Sequence, residues 1–418
     1  MKQYPLLTSK ASKALFALFL TAMLFLSRDT LFSSCLMGFA KSQFLMMGLI
    51  VLLGASFLWV NRKDFLQILK DRRMLILIGS VFILVVPMLV KRDWQLMYFS
   101  ILLCVLTAVF LTYFTNSREV AKYYVVILVV LGAYSILATY GLKYLARAEI
   151  INPVIFRNAS RWKFYDFVFA YVVRSRHWYR NFGIFREPGV YQFFVLLAAY
   201  MNNFSVDWDK QWKLWLCNVV LAVTMLSTFA LGGYAELALI VIFLFFEKKW
   251  YRTKCGKIVA CLILVVILSV VGCFIYYWNS PDFVHTIFYE FYDMFIRLTT
   301  DSDSMMDRKA AIAANLQFFA QSPVVGDTIA NVLHGTKHNT SSTLLLYAIL
   351  GIAGGTLNVA AWVALLWKRE RKLFGNLILL LILFLSFNTQ NLVANVFFWL
   401  FPMMALVERG LPLLKRSK

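Results

Sequence analysis

The chain has 418 residues, 61% of them hydrophobic and 17% aromatic, with only 15% charged and a mean hydropathy of +0.71. A water-soluble domain needs about a quarter charged residues to cover its surface, so this composition excludes one and makes lipid the solvent. The formal net charge of +21 reads first as Lys and Arg crowding cytoplasmic loops, as they do in membrane proteins, and not as a nucleic-acid partner; the basic charge outside those loops is the more informative part.

Helices are the natural spanning unit, because each satisfies its own backbone hydrogen bonds in hydrocarbon. The apolar runs are also too long and even for the alternating strands of an outer-membrane barrel. Runs of the roughly 20 residues needed to span predict helices near 13–28, 42–60, 74–91, 96–115, 123–142, 188–205, 213–230, 231–247, 257–278, 341–367, 373–388 and 391–408. The first reads as a retained helix, since no small-residue cleavage site follows it. Tight polar turns at Gly232-Gly233 and at 388–391 separate two of the pairs.

The basic residues alternate with these runs. Arg62, Lys63, Lys70, Arg72 and Arg73 follow the second, and Lys248, Lys249, Arg252, Lys254 and Lys257 follow the eighth. Lys368, Arg369, Arg371 and Lys372 follow the tenth, and Arg409, Lys415, Arg416 and Lys418 close the chain. All lie on one side if the chain crosses twelve times with both termini in the cytoplasm. The expected fold is therefore an all-α polytopic transmembrane helical bundle, one integral membrane domain over 1–418. Two large external loops are expected, a basic one at 143–187 and one at 279–340 carrying a short amphipathic helix. No internal repeat, low-complexity tract or soluble domain is present.

Long loops in a compact protein usually carry function. The first holds Lys143, Arg147, Arg157, Arg161, Lys163, Arg174, Arg176, Arg180 and Arg186, interleaved with Trp162, Tyr165, Trp178 and Tyr179. It either lies on anionic headgroups or binds an anionic, partly apolar ligand such as a lipid-linked phosphate. Where it meets the sixth helix stands Phe185-Arg186-Glu187-Pro188-Gly189. Pro188 suits a first helical turn, but Arg and Glu at the membrane boundary are costly unless paired or used. In the second loop, Asp307-Arg308 opens an amphipathic helix to Ala320 that stops at Ser322-Pro323. An Arg in a first turn opposes the helix dipole, and makes sense if an anion also sits on the free N–H groups. Lys337-His338-Asn339-Thr340 offers an imidazole able to act as a general base near neutral pH, with His177, His285 and His334 as competitors.

Weaker signals are the D-x-D triplets at 301–303 and 207–209, and Glu236 inside the eighth helix, an ionisable group in the membrane. The six cysteines form no C-x-x-C pair and read as packing residues, with no disulfide framework and no metal site.

In order and spacing these clusters resemble the O-antigen polymerase and O-antigen ligase superfamily of bacterial surface polysaccharide assembly. Phe185-Arg186-Glu187-Pro188-Gly189 resembles its F-x-E-P-G element, and Leu226-Ser227-Thr228 with Gly232-Gly233-Tyr234 its small-residue helix pair, though the Arg common there is missing. Arg308 followed by Ser322-Pro323-Val324-Val325-Gly326 is similar to its R…P-L-x-G stretch, and His338-Asn339 with Leu344 to Gly351-Ile352-Ala353-Gly354 to its H-N…G-x-x-G segment. The likeness covers about 180–360, while the first five helices match in hydropathy alone.

The resemblance implies transfer of a glycan from undecaprenyl diphosphate to an acceptor sugar hydroxyl, outside the cytoplasmic (inner) membrane, with no cofactor, nucleotide sugar or metal. Arg186 and Arg308 would hold the diphosphate, helped by Arg176, Arg180 and Asn339. His338 would take the acceptor proton, and Glu187 would orient Arg186 or replace His338 as base. The implied partners are the undecaprenyl-diphosphate-linked oligosaccharide, a chain-length regulator and a flippase. The 279–340 segment is net acidic, with Arg297, Arg308, Lys309 and Lys337 against Asp282, Glu290, Asp293, Asp301, Asp303, Asp307 and Asp327. Such a wall would repel a phosphorylated lipid A-core, which favours a polymerase over a ligase. Two other classes stay open. A transporter or flippase should show helices broken by Gly or Pro in matching halves, and no such pair is legible. A metal-dependent glycosyltransferase wants an acidic pair in the first external loop, where only Asp29 stands.

Overall fold

The computed structural model describes residues 10–60, 71–158, 161–174, 179–247, 303–335, 339–368, 371–387 and 390–410, with scattered positions between 249 and 292. These form α1 (Lys10–Leu26), α2 (Phe39–Val60), α3 (Arg72–Lys91), α4 (Leu96–Phe114) and α5 (Ser117–Arg147). Three short strands follow, β1 (Val154–Arg157), β2 (Lys163–Asp166) and β3 (Tyr171–Val173). Then come α6 (Pro188–Phe204), α7 (Gln211–Ser227), α8 (Leu231–Glu247), α9 (Asp303–Gln321), α10 (Ile329–His334), α11 (Ser342–Leu366), α12 (Leu373–Phe387) and α13 (Val396–Gly410). Among the described residues, α2, α3, α4, α5 and α11 are long and apolar enough to cross a membrane. The helix expected at 257–278, and the 279–340 segment as far as 302, fall largely outside the described residues.

Sequence chemistry explains the boundaries. Asp71 and Asn116 cap α3 and α5 by accepting from the N–H groups of Arg73 (3.0 Å) and Glu119 (2.9 Å). Pro188 starts α6, where its missing N–H costs nothing. The centre of the bundle is α6 and α13, whose Phe193, Phe194, Phe397, Phe398, Trp399 and Phe401 are all buried. Phe194 packs on Phe185 (ring centroids 4.3 Å) and Phe397 (6.1 Å). α4 and α11 pack along α13, and α5 and α7 along α6. On the outside, α2 and α3 present Phe44, Leu45, Val51, Leu52, Leu75, Ile78 and Phe82. Such a band would drive aggregation in water; in lipid it is the solvent-facing side.

Four expectations are corrected. α5 runs on to Arg147 through a π-helical turn at Ala138–Leu142, past the expected end at 142. The 143–187 segment is not an open loop but carries an antiparallel sheet in the order β1-β2-β3. One sheet face packs Tyr165, Phe167, Ala170 and Val172 against the α5 extension, and Phe164 on the other meets Phe182. The last helix begins at Val396 and not at 391, because side chains claim the backbone ahead of it. Ser342 Oγ accepts from Leu392 N (2.8 Å), Trp399 Nε1 donates to Val393 O (2.8 Å), and Asn395 Oδ1 accepts from Phe397 N (3.0 Å).

Finally, α11 is not continuous. Gly351 has φ +67° and ψ −165°, a conformation closed to other residues. The Pro323–Gly326 turn enters the break: Ile352 N donates to Pro323 O (2.8 Å) and Asp327 N to Ala348 O (2.7 Å). A Cβ on Gly326, itself at φ +71°, would stand 2.6 Å from the Ile349 carbonyl carbon, and one on Gly351 would collide with Val324 O. Lys91 Nζ closes the clasp by donating to Asp327 O (2.9 Å), Tyr98 Oη (2.8 Å) and Ile349 O.

Candidate functional site

The turn after α1 and the segment before α6 are stitched together by backbone. Leu31 N donates to Ile184 O (2.9 Å), Arg186 N donates to Asp29 O (3.0 Å), and Thr30 and Phe185 form an antiparallel bridge. This brings Asp29, a buried carboxylate, to Arg186: Asp29 Oδ1 lies 3.4 Å from Nε, and Asp29 Oδ2 accepts from Asn395 Nδ2 (2.9 Å) at the start of α13. A carboxylate so buried is tolerable only when paired. The Arg186 Nε makes an ion pair there but no hydrogen bond. Its other end faces out, with Nη1 3.9 Å from Glu187 Oε1 and 38% of the side chain accessible.

Two more guanidiniums approach this pair. Arg28 lies with its guanidinium 5.1 Å from the Phe39 ring centroid and Nη1 3.3 Å from Met97 Sδ. Burial lowers its pKa; Asp29 opposes the shift and the positive charge of Arg186 adds to it. Arg308 reaches the site on α9, which packs along α11. The protein around it lowers its pKa, and the Glu187 carboxylate pulls the other way. The Arg308 side chain is itself solvent-exposed, and an arginine stays charged there. Arg186 thus contacts a sealed carboxylate, Asp29, and an open one, Glu187, with Arg28 within electrostatic reach of the first and Arg308 of the second.

The expected residues divide. Arg186 and Glu187 lie side by side, with Arg308 within electrostatic reach of Glu187, but the main carboxylate partner of Arg186 is Asp29 rather than its neighbour Glu187. α9 begins at Asp303, four residues before the expected start, so Arg308 lies beyond the first turn and the shared N-terminal anion site does not form. Arg180 is elsewhere, its Nε donating to Thr228 O (3.4 Å) at the α7–α8 turn. Asn339 pairs with Asn315 of α9 through two reciprocal amide hydrogen bonds (3.1 and 2.8 Å), which makes it a strap for the helix that carries Arg308. Arg176, His177, His285, Lys337 and His338 lie outside the described residues.

The other signals resolve locally. Asp207 and Asp209 are surface partners of Arg118 (3.1 Å) and Lys213 (2.7 Å). Asp301 of the other triplet falls outside the described residues, among which no three His, Cys, Asp or Glu side chains gather as a metal site would need. Glu236 is buried in α8 with no ion pair among the described residues. Ser227 receives Asn181 Nδ2 (2.9 Å). Gly232 and Gly233 make room for the Gln192 amide: a Cβ on Gly233 would stand 2.8 Å from Gln192 Oε1.

Sequence reasoning passed over Arg28 and Asn395, and weighed Asp29 only as half of an acidic pair that is not there. The signal was present for Arg28 and Asp29, since adjacent opposite charges ending an apolar run carry the same boundary cost as Arg186-Glu187. Asn395 had none, because only the fold carries α13 to α1. No family model, curated protein or solved structure matches the chain.

Proposed function

We propose that the protein is a polymerase of lipid-linked oligosaccharide repeat units, a metal-independent membrane glycosyltransferase of the bacterial cytoplasmic membrane. The observation that carries this reading is Arg186, fixed by the buried Asp29 so that its free edge is presented beside Glu187 and Arg308. Arginine forks match phosphate oxygens bidentately. Held at a low-dielectric boundary, they stabilise negative charge as it grows on a leaving group. The acceptor hydroxyl oxygen bonds to C1 of the donor sugar. The C1–O bond to the diphosphate breaks with its electron pair, and the hydroxyl proton passes to His338 or Glu187. Undecaprenyl diphosphate leaves against Arg186 and Arg308. The ordered likeness to the O-antigen polymerase and ligase superfamily supports the same reading, and the clasp places two of its glycine motifs, at Gly326 and Gly351, against each other.

Deletion tests polymerase against ligase. A strain lacking the protein is expected to keep single repeat units and lose the long-chain ladder; long chains accumulating on the carrier, attached to no core, would identify a ligase. The broken α11 is the one observation that favours a transporter. Its freed backbone groups are, however, taken by residues 323–327 and Lys91 rather than left lining a cavity, and no other described helix has a non-helical residue inside it.

The topology belongs to this proposal: twelve spans with both termini cytoplasmic. Contacts between helix ends support it. Ser117 N donates to Glu408 Oε1 (2.7 Å) and Lys368 Nζ to Phe204 O (2.9 Å) at the end opposite Arg186, as alternating spans require. Cysteines at Ser160 and Ser302 should react with an impermeant thiol reagent in spheroplasts and one at Lys70 should not; the inverse pattern would reverse the orientation.

A further inference from the structure

The sheet after α5 has two unlike ends. Its register pairs Val154 with Asp166 and Arg157 with Lys163, and Asp166 with Tyr171. One end therefore gathers the exposed apolar side chains of Val154 and of the β2–β3 tip, Val168 and Phe169, with Ile150 just ahead of β1. The other end gathers Arg157, Arg161 and Lys163, with Arg174 N bonded to Lys163 O (2.9 Å). Roughly 10 Å of strand separates the ends.

The apolar end points at the membrane helices. The Phe169 ring lies 6.1 Å from Phe25 at the close of α1 and 6.0 Å from Tyr134 of α5, and Tyr134 Oη donates to Phe167 O (2.7 Å). Tyr134 stands about 25 Å along α5 from its start, short of the roughly 30 Å of hydrocarbon in a bilayer. The tip thus sits at the hydrocarbon boundary beside helices whose outer faces already meet lipid. Val168 is held there at φ +70°, a costly conformation for a β-branched residue, with its N–H on Asp166 Oδ1 (2.7 Å). A strained turn that places two large apolar side chains in water would lose twice.

We infer that the sheet is a membrane-surface anchor: Ile150, Val154, Val168 and Phe169 insert into the leaflet at the Arg186 end. The basic end then stands at or just above the headgroup phosphates, since the headgroup layer is roughly 5–8 Å thick. The occupant is lipid, because the patch is continuous with lipid-facing helices and its cationic far end suits phosphate. The inference needs only a chain that spans a membrane and does not rest on the enzymatic reading.

Nitroxide-lipid quenching tests it. Val168→Cys, Val154→Cys and Arg157→Cys are made in the full chain without its native cysteines, labelled with an environment-sensitive fluorophore and reconstituted into vesicles of phosphatidylglycerol and phosphatidylcholine. Labels at 168 and 154 should shift to the blue and lose emission to lipids carrying a nitroxide near the headgroup, while the label at 157 stays water-like. Water-like, unquenched emission at both 168 and 154 overturns the anchor. So does blue-shifted emission that nitroxide lipids fail to quench, which would mean that protein covers the patch.

Discussion

Arg186 and Arg371 sit at opposite ends of α6, roughly 25 Å apart, and each is paired with a carboxylate. Arg371 is closed on every side. Its Nε donates to Glu247 Oε1 (3.0 Å), its Nη1 to Leu366 O (3.1 Å) and Asn376 Oδ1 (3.4 Å), and its guanidinium lies 4.8 and 5.3 Å from the Phe204 and Phe243 ring centroids. Only 2% of its side chain is accessible. At Arg186 the burial is inverted: the carboxylate is sealed, at 2%, and the arginine is open. A pair built to lock helices buries the cation and turns its donors onto protein. A pair built to present a cation buries the anion and leaves the fork free. In the sequence Arg371 is one of a basic cluster and Arg186 stands just ahead of a helix; what surrounds them gives them opposite work.

The largest effect expected is at the closed pair. Arg371→Ala strips a buried cation from Glu247, two acceptors and two rings, a loss of about 3 kcal/mol, the low end for a broken buried pair because 33% of the Glu247 side chain stays accessible. It should appear as a lowered melting transition in detergent and low membrane abundance. If Arg371→Ala keeps its melting point while activity vanishes, the contrast between the two arginines fails.

Next come the open residues. Arg186→Ala, Arg308→Ala and His338→Ala should each reduce polymer formation about 10²-fold or more at normal abundance, and Arg186→Lys should not rescue if bidentate contact matters. Near-normal polymer from His338→Ala would pass the base role to Glu187. A smaller loss sharpens the comparison. Asp29→Asn keeps the Asn395 contact within reach but removes the charge that steers Arg186, and should cost about tenfold in turnover, roughly 1.4 kcal/mol of lost positioning. Equal losses from Asp29→Asn and Arg186→Ala would make Asp29 part of the reaction rather than the support of Arg186. The smallest expected effect is none: turnover should survive EDTA, and loss restored by Mg²⁺ or Mn²⁺ would bring back the Asp301 and Asp303 reading.

Membrane residence was written in the composition, since nothing else accommodates so few charges on so much apolar length. Hydropathy also fixed most helix limits within a few residues, because a span must match the bilayer wherever it packs. Arg186 and Glu187 were legible for a related reason: charge at a membrane boundary is expensive, so its presence asks for a purpose. Arg308 was singled out by a helix start that the structure moves four residues earlier. Tertiary structure alone decided the rest. It put Asp29 under Arg186 and Asn395 under Asp29, a contact across 366 residues of chain that no local pattern encodes. It bent α11 at Gly351 and filled the break with Pro323–Gly326, where the sequence reads as one unbroken apolar run. It also made a sheet of a basic segment, because strands of three or four residues carry too short an alternation to be recognised until α5 and Phe182 supply the faces they bury. Solvent preference acts residue by residue and can be read in order; pairing acts between residues that only the fold brings together.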